Sequence, residues 1–78
     1  MLRFAAHTEY KGIEETIVQL AGTASSVRDW YVAVAARHPE GTRGELTRAA
    51  FRLATALTED YPKLAERAFE LGLFQRRQ

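Results

Sequence analysis

The chain has 78 residues, a formal net charge of +1 and 46% hydrophobic residues. This length allows one small domain, residues 1–78, and the apolar content is too high for a disordered chain. The near balance of charges argues against a dedicated nucleic-acid binder, and the lack of cysteine excludes disulfides and thiolate metal sites.

The apolar residues of the first half follow one helical stripe, because steps of four and three residues alternate along it. The stripe consists of Ile13, Ile17, Leu20, Ala24, Val27, Tyr31 and Val34. It predicts helices near residues 10–21 and 26–38. A break is favoured because Gly22, Thr23 and two serines lower helix propensity, and because Ser26 followed by Asp29 resembles a capping box. The unbroken phase of the stripe favours the alternative, one continuous helix.

Two further helices are predicted from their start and stop signals. Pro39 ends the preceding helix, and Thr42 with Glu45 forms a capping box that starts a helix near 43–58. Pro62 fits the first turn of a helix near 62–72, with Gly72 at its left-handed C-terminal position. The apolar residues of these helices are Leu46, Ala49, Ala50, Phe51, Leu53, Ala54, Leu57, Leu64, Ala65, Ala68, Phe69 and Leu71.

These elements together predict an all-α fold, a compact three- or four-helix bundle of short amphipathic helices. Residues 75–78 read as a frayed basic tail. The role of residues 2–6 stays open between an arm, a helical lead-in and a single strand.

No catalytic or metal-binding pattern stands out in the sequence. The chain has two histidines, His7 and His38, without further ligands at metal-site spacing. The adjacent carboxylates Glu14 and Glu15 point to different faces of a helix, so they do not resemble an acid–base pair. We therefore expect no metal, no cofactor and no enzymatic activity.

The segment from Trp30 to Ala36 is apolar on every face of a helix. Such a helix is either the central one of a bundle or part of an interface with another chain. Aromatic residues are frequent anchors in protein interfaces. The candidate partner-binding residues are Trp30, Tyr31, Val32 and Val34.

A second candidate surface is basic. Arg37, Arg43, Arg48 and Arg52 would form one patch, together with His38, if the turn at Pro39 folds the second and third helices together. Such a patch could contact phosphates or an acidic protein surface. A solvated face, locally neutralised by glutamates, is the simpler interpretation.

The sequence therefore favours a non-enzymatic regulator or inhibitor that binds another protein, a nucleoprotein complex or a second copy of itself. Nucleic-acid binding by the arginine face is the alternative, and an enzyme is the least favoured class. Nine arginines against two lysines suggest a bacterial, phage or mobile-element source, such as that of an anti-CRISPR-type inhibitor. The absence of a signal peptide or a long apolar run predicts a cytoplasmic location and no membrane partner.

Overall fold

Four helices make up the part of the chain that the structure describes. The computed structural model covers the backbone of residues 5–77 and the side chains of residues 12–77. The helices are α1 (Ala5–Ala21), α2 (Val27–Arg37), α3 (Arg43–Leu57) and α4 (Pro62–Arg77). Each helix packs against two neighbours, in the cyclic order α1, α2, α4, α3, and the contact between α3 and α4 is the most extensive. The predicted all-α bundle is confirmed, with four helices in it.

The break in the first apolar stripe is confirmed, so the continuous helix is excluded. Helix α1 ends at Ala21, and the backbone N–H groups of Thr23 and Ala24 both donate to the Leu20 carbonyl. Ser26 is the N-cap of α2, and its hydroxyl accepts a 3.1 Å hydrogen bond from the Asp29 N–H. That side chain satisfies a donor that the first turn of a helix leaves unpaired.

The predicted signals around Pro39 are also confirmed. Helix α2 ends at Arg37, and the His38 N–H closes its last turn on the Ala35 carbonyl at 3.1 Å. In the capping box of α3, the Glu45 N–H donates to the Thr42 hydroxyl at 3.1 Å. The Thr42 N–H in turn donates to the Glu45 carboxylate at 2.9 Å.

The predicted end of α4 is wrong. The helix passes through Gly72 and continues to Arg77, so residues 75–77 are helical rather than a frayed tail, and residue 78 lies outside the described part. The reason is burial, because Gly72 packs against the Phe51 ring of α3 and Gln75 is fully buried. Arginines in the last turn further favour the negative end of the helix dipole.

The start of α1 also differs from the prediction. This helix begins at Ala5 rather than near residue 10, so residues 5 and 6 belong to it. Residues 2–4, the rest of the N-terminal segment left open by the sequence, lie outside the described part.

The core lies between the four helices and is centred on Trp30, whose side chain is 1% exposed. Its indole N–H donates a 3.0 Å hydrogen bond to the Ile17 carbonyl of α1. The core cluster consists of Ile13, Ile17, Ala21, Trp30, Val34, Leu46, Ala49, Ala50, Leu53, Ala54, Ala68 and Leu71. The remaining stripe residues Leu20, Ala24, Val27 and Tyr31 are partly buried against it.

Arg67 of α4 connects three helices around this core. Its guanidinium carbon lies 5.1 Å from the centroid of the Trp30 ring, within the range of a cation–π contact. The same guanidinium donates a 2.9 Å hydrogen bond to the Ala21 carbonyl at the end of α1. Helix α1 has no basic residue in its own last turn, so α4 supplies the cation that a helix C-terminus favours.

Two side chains, Gln75 of α4 and Thr47 of α3, bury polar atoms without a hydrogen-bond partner in the described part of the chain. Gln75 is 0% exposed, and neither its amide nitrogen nor its amide oxygen has a hydrogen-bond partner in the described part of the chain. The hydroxyl oxygen of Thr47 is likewise buried and unpaired there. Burying an unpaired polar group costs about 1–3 kcal/mol, so each of these two side chains lowers the stability of the bundle relative to an apolar side chain of the same shape.

Candidate partner-binding groove

The structure divides the candidate residues of α2 between the core and the surface. Trp30 and Val34 are 1% and 0% exposed, so the structure places these two candidate side chains in the core and not at the surface. They lie four residues apart on one helix face, and both belong to the core cluster. The central-helix interpretation of this segment is therefore right for Trp30 and Val34.

The other two candidates remain at the surface. The Tyr31 ring is partly buried and packs on the Phe74 ring of α4, with centroids 5.5 Å apart and planes inclined at 60°. Val32 is 54% exposed. Together with Arg28 they line a shallow depression of about 370 Å³ between α2 and α4. One exposed valine beside a satisfied aromatic pair offers little apolar area to a partner.

The four arginines of the predicted basic patch are all exposed, but they do not form a set of unpaired cations. The Arg52 Nε lies 3.2 Å from the Glu14 carboxylate of α1. The His38 ring turns toward α1, where its Nε2 lies 2.7 Å from the Thr16 hydroxyl. That hydroxyl donates its only hydrogen to the Gly12 carbonyl at 2.9 Å, so His38 Nε2 must carry a hydrogen and donate it.

A larger apolar surface lies between α3 and α4, on the side away from the core. It is a groove of about 700 Å³, which we call the α3–α4 groove. The rings of Phe51 and Phe69 lie in contact within it, with centroids 5.5 Å apart and planes inclined at 49°. Phe69 is 50% exposed, although it is a large apolar side chain. The groove is lined by Phe51, Ala54, Thr55, Thr58, Pro62, Ala65, Glu66, Phe69, Glu70 and Arg76.

The charged residues of this groove are unevenly distributed. Glu66 and Glu70 are exposed and lie on the same side of Phe69 around the helix, while Arg76 lies toward the opposite end of α4. Within residues 12–77, neither glutamate has an ion-pair partner. Like charges four residues apart on a helix destabilise it by about 0.2–0.5 kcal/mol. The groove therefore presents two carboxylates on one side of its exposed aromatic ring, and Arg76 is the one basic residue among the described residues of its lining.

Gly72 determines where the Phe51 ring lies. A Cβ atom at this position would be 2.6 Å from the Phe51 Cε1 atom, closer than two carbon atoms can approach without displacement. The absence of a side chain thus allows the ring to lie against the α4 backbone and form one wall of the groove.

We expect the effect of Gly72→Ala on the free energy of unfolding to depend on the residue at position 51. In the unaltered chain it should destabilise by about 1 kcal/mol, because overpacking outweighs the higher helix propensity of alanine. In a Phe51→Ala background the obstruction is gone, and the same substitution should stabilise by about 1 kcal/mol. Urea denaturation of the four proteins measures both effects, and equal effects in the two backgrounds would contradict this contact.

Sequence reasoning did not identify this groove as a site. Phe51 follows Ala50 in sequence and is out of phase with the buried row of α3, which is a signal for a second apolar face. Phe69 is one of the apolar residues of the predicted last helix, and the sequence does not distinguish it from its buried neighbour Ala68. Only the packing of α3 against α4 brings the two rings together.

The described residues contain neither a candidate metal-binding group nor a candidate membrane-spanning helix. They contain no group of three or more histidine, cysteine or acidic side chains that could hold a metal ion. No described helix is long and apolar enough to cross a membrane. Comparisons with protein families, curated proteins and solved structures find no match to this chain.

Proposed function

We propose that the chain is a non-enzymatic interaction protein that binds another protein through the α3–α4 groove. The observation that carries this proposal is the half-exposed Phe69 ring, packed on Phe51 in a groove with a largely apolar floor. Aromatic side chains in apolar clefts are the typical anchors of protein interfaces, and large exposed apolar patches are uncommon on monomers. Such a module acts as a regulator or inhibitor by occupying its partner's surface, and we propose a cytoplasmic setting for it.

Nucleic-acid binding by the arginine face has weaker support. Arg52 is paired with Glu14, and His38 is bonded to Thr16 rather than exposed beside the arginines. Binding to phosphates gains most from cations that have no acidic neighbour to leave. A protein that binds in the α3–α4 groove does not have to break either of these two contacts.

The Phe69→Ser substitution is the direct test of this site. Because the half-buried Phe69 ring packs on Phe51, we expect Phe69→Ser to destabilise the fold by about 1–2 kcal/mol. Binding is therefore compared under conditions in which both proteins are folded, and we expect a loss of about thirtyfold, the effect of a 2 kcal/mol anchor. Val32→Ser is the matched control, since Val32 is 54% exposed on α2 and does not line the groove. The partner is first identified with a photo-crosslinking aromatic amino acid in place of Phe69 or of Val32, in the cell from which the protein comes. Its binding to the unaltered chain and to the two serine variants is then measured by calorimetry.

A protein crosslinked from position 69 but not from position 32, and lost in competition with the unaltered chain, supports the proposal. Crosslinks of equal yield from both positions, or partner binding that survives Phe69→Ser, would place the interface elsewhere on the bundle.

A further inference from the structure

The chemistry of the α3–α4 groove also indicates what kind of protein segment it binds. We propose that the groove receives a basic amphipathic helix from a partner protein. This inference rests on the proposed function and adds the partner's secondary structure and charge.

The walls of the groove favour a helix over an extended peptide. Both walls are helices, whose backbone groups are already paired within the helix, so they offer no strand edge to an incoming chain. The hydroxyls of Thr55 and Thr58 are also engaged, because they donate to the Phe51 and Ala54 carbonyls of their own helix at 3.1 and 2.8 Å. A partner must therefore bring a backbone that is satisfied internally, which a helix does.

The charges of the groove favour a basic partner. Glu66 and Glu70 lie on one side of Phe69, and neither has an ion pair within the described side chains, while Arg76 lines the far end of the groove. A helix whose apolar stripe covers Phe51 and Phe69 would place its flanking residues beside these carboxylates. Lysine or arginine on the side of the partner helix that faces Glu66 and Glu70 gives charge complementarity, whereas glutamate at the same positions would place like charges together.

Two synthetic helical peptides test this inference. Each peptide has about 18 residues, or five helical turns. Both carry the same leucine stripe, which is flanked by lysine in one peptide and by glutamate in the other. We expect the lysine peptide to bind about tenfold more tightly at low salt, the effect of two exposed charge pairs. The preference should shrink as salt is raised. NMR titration of the isotopically labelled chain gives the affinities and shows whether the amide signals that move belong to α3 and α4.

The Glu66→Gln and Glu70→Gln double variant should bind both peptides almost equally. Its matched control is the Glu15→Gln and Glu40→Gln double variant, which loses the same charge from exposed positions that do not line the groove. The control should retain the preference. In the unaltered chain, a preference for the lysine peptide that shrinks as salt is raised independently shows that the preference is electrostatic.

Equal binding of the two peptides, lost in both cases in Phe69→Ser, overturns the basic partner but leaves the groove as a binding site. Signal changes confined to other faces of the bundle overturn the occupant as well. Movement of the groove signals with protein concentration alone, together with a doubled solution mass, would mean that a second copy of the chain occupies it, which also overturns the proposal. Failure of the proposed function is separate, because it is measured by the crosslinks from position 69.

Discussion

Trp30→Ala is expected to destabilise the bundle by about 3–5 kcal/mol, the range for removing a buried large aromatic side chain. Trp30 is the largest fully buried side chain of the described residues, at 1% exposure. The substitution removes apolar area, the hydrogen bond to the Ile17 carbonyl and the ring beneath Arg67. Because a chain of this size has a total stability of only about 4–12 kcal/mol, much of the protein should be unfolded at moderate temperature. Urea denaturation followed by circular dichroism measures the change in midpoint.

Two companion variants separate the contributions at this position. Trp30→Phe keeps an aromatic ring but loses the N–H donor, so we expect a smaller loss of about 1–2 kcal/mol. Val32→Ala, two residues further along α2 at an exposed position, should change stability by less than about 0.5 kcal/mol. If Trp30→Ala and Val32→Ala had similar effects, Trp30 would not be at the centre of the core.

Gln75→Met is expected to stabilise the protein by about 2 kcal/mol and to raise its Tm by roughly 10 °C. Gln75 is fully buried, and both polar atoms of its amide lack a partner in the described part of the chain. Methionine has a similar unbranched shape and no amide, so it removes the unpaired groups while filling the same volume. Thermal denaturation, followed by circular dichroism, measures the shift.

The matched control for this variant is Gln19→Met, the same substitution at an exposed position of α1. It should change stability by less than about 0.5 kcal/mol, because no polar group is relieved of burial there. A lower Tm for Gln75→Met would mean that the amide of Gln75 makes a stabilising hydrogen bond.

Local signals in the sequence predicted the helices and most of their ends. Ser26 and Thr42 are examples, because an N-cap depends only on the residues of one helical turn and on the chain direction just before it. Gly72 is the opposite case. A glycine near the end of an apolar pattern fits a helix stop as well as a close packing position, and the choice depends on Phe51, 21 residues earlier. Gln75 misled for a related reason, since a polar residue near a terminus is usually exposed.

The candidate site was harder to predict than the fold. The segment around Trp30 is apolar on all faces, but sequence alone does not determine which of its faces the other helices cover. The structure buries Trp30 and Val34 and leaves Val32 exposed. Conversely, the sequence does not distinguish Phe69 from the other apolar residues of α4, whereas the structure buries Ala65 and Ala68 and leaves Phe69 half exposed.

The division of α4 into two faces has a consequence for how this protein can evolve. Its inward residues, Ala65, Ala68 and Leu71, belong to the buried interior, while Glu66, Phe69 and Glu70 face solvent in the groove. Substitutions at exposed positions usually change stability by less than about 0.5 kcal/mol. Positions 66 and 70 can therefore vary with little effect on folding, so that a lineage could exchange one binding partner for another while keeping the same bundle.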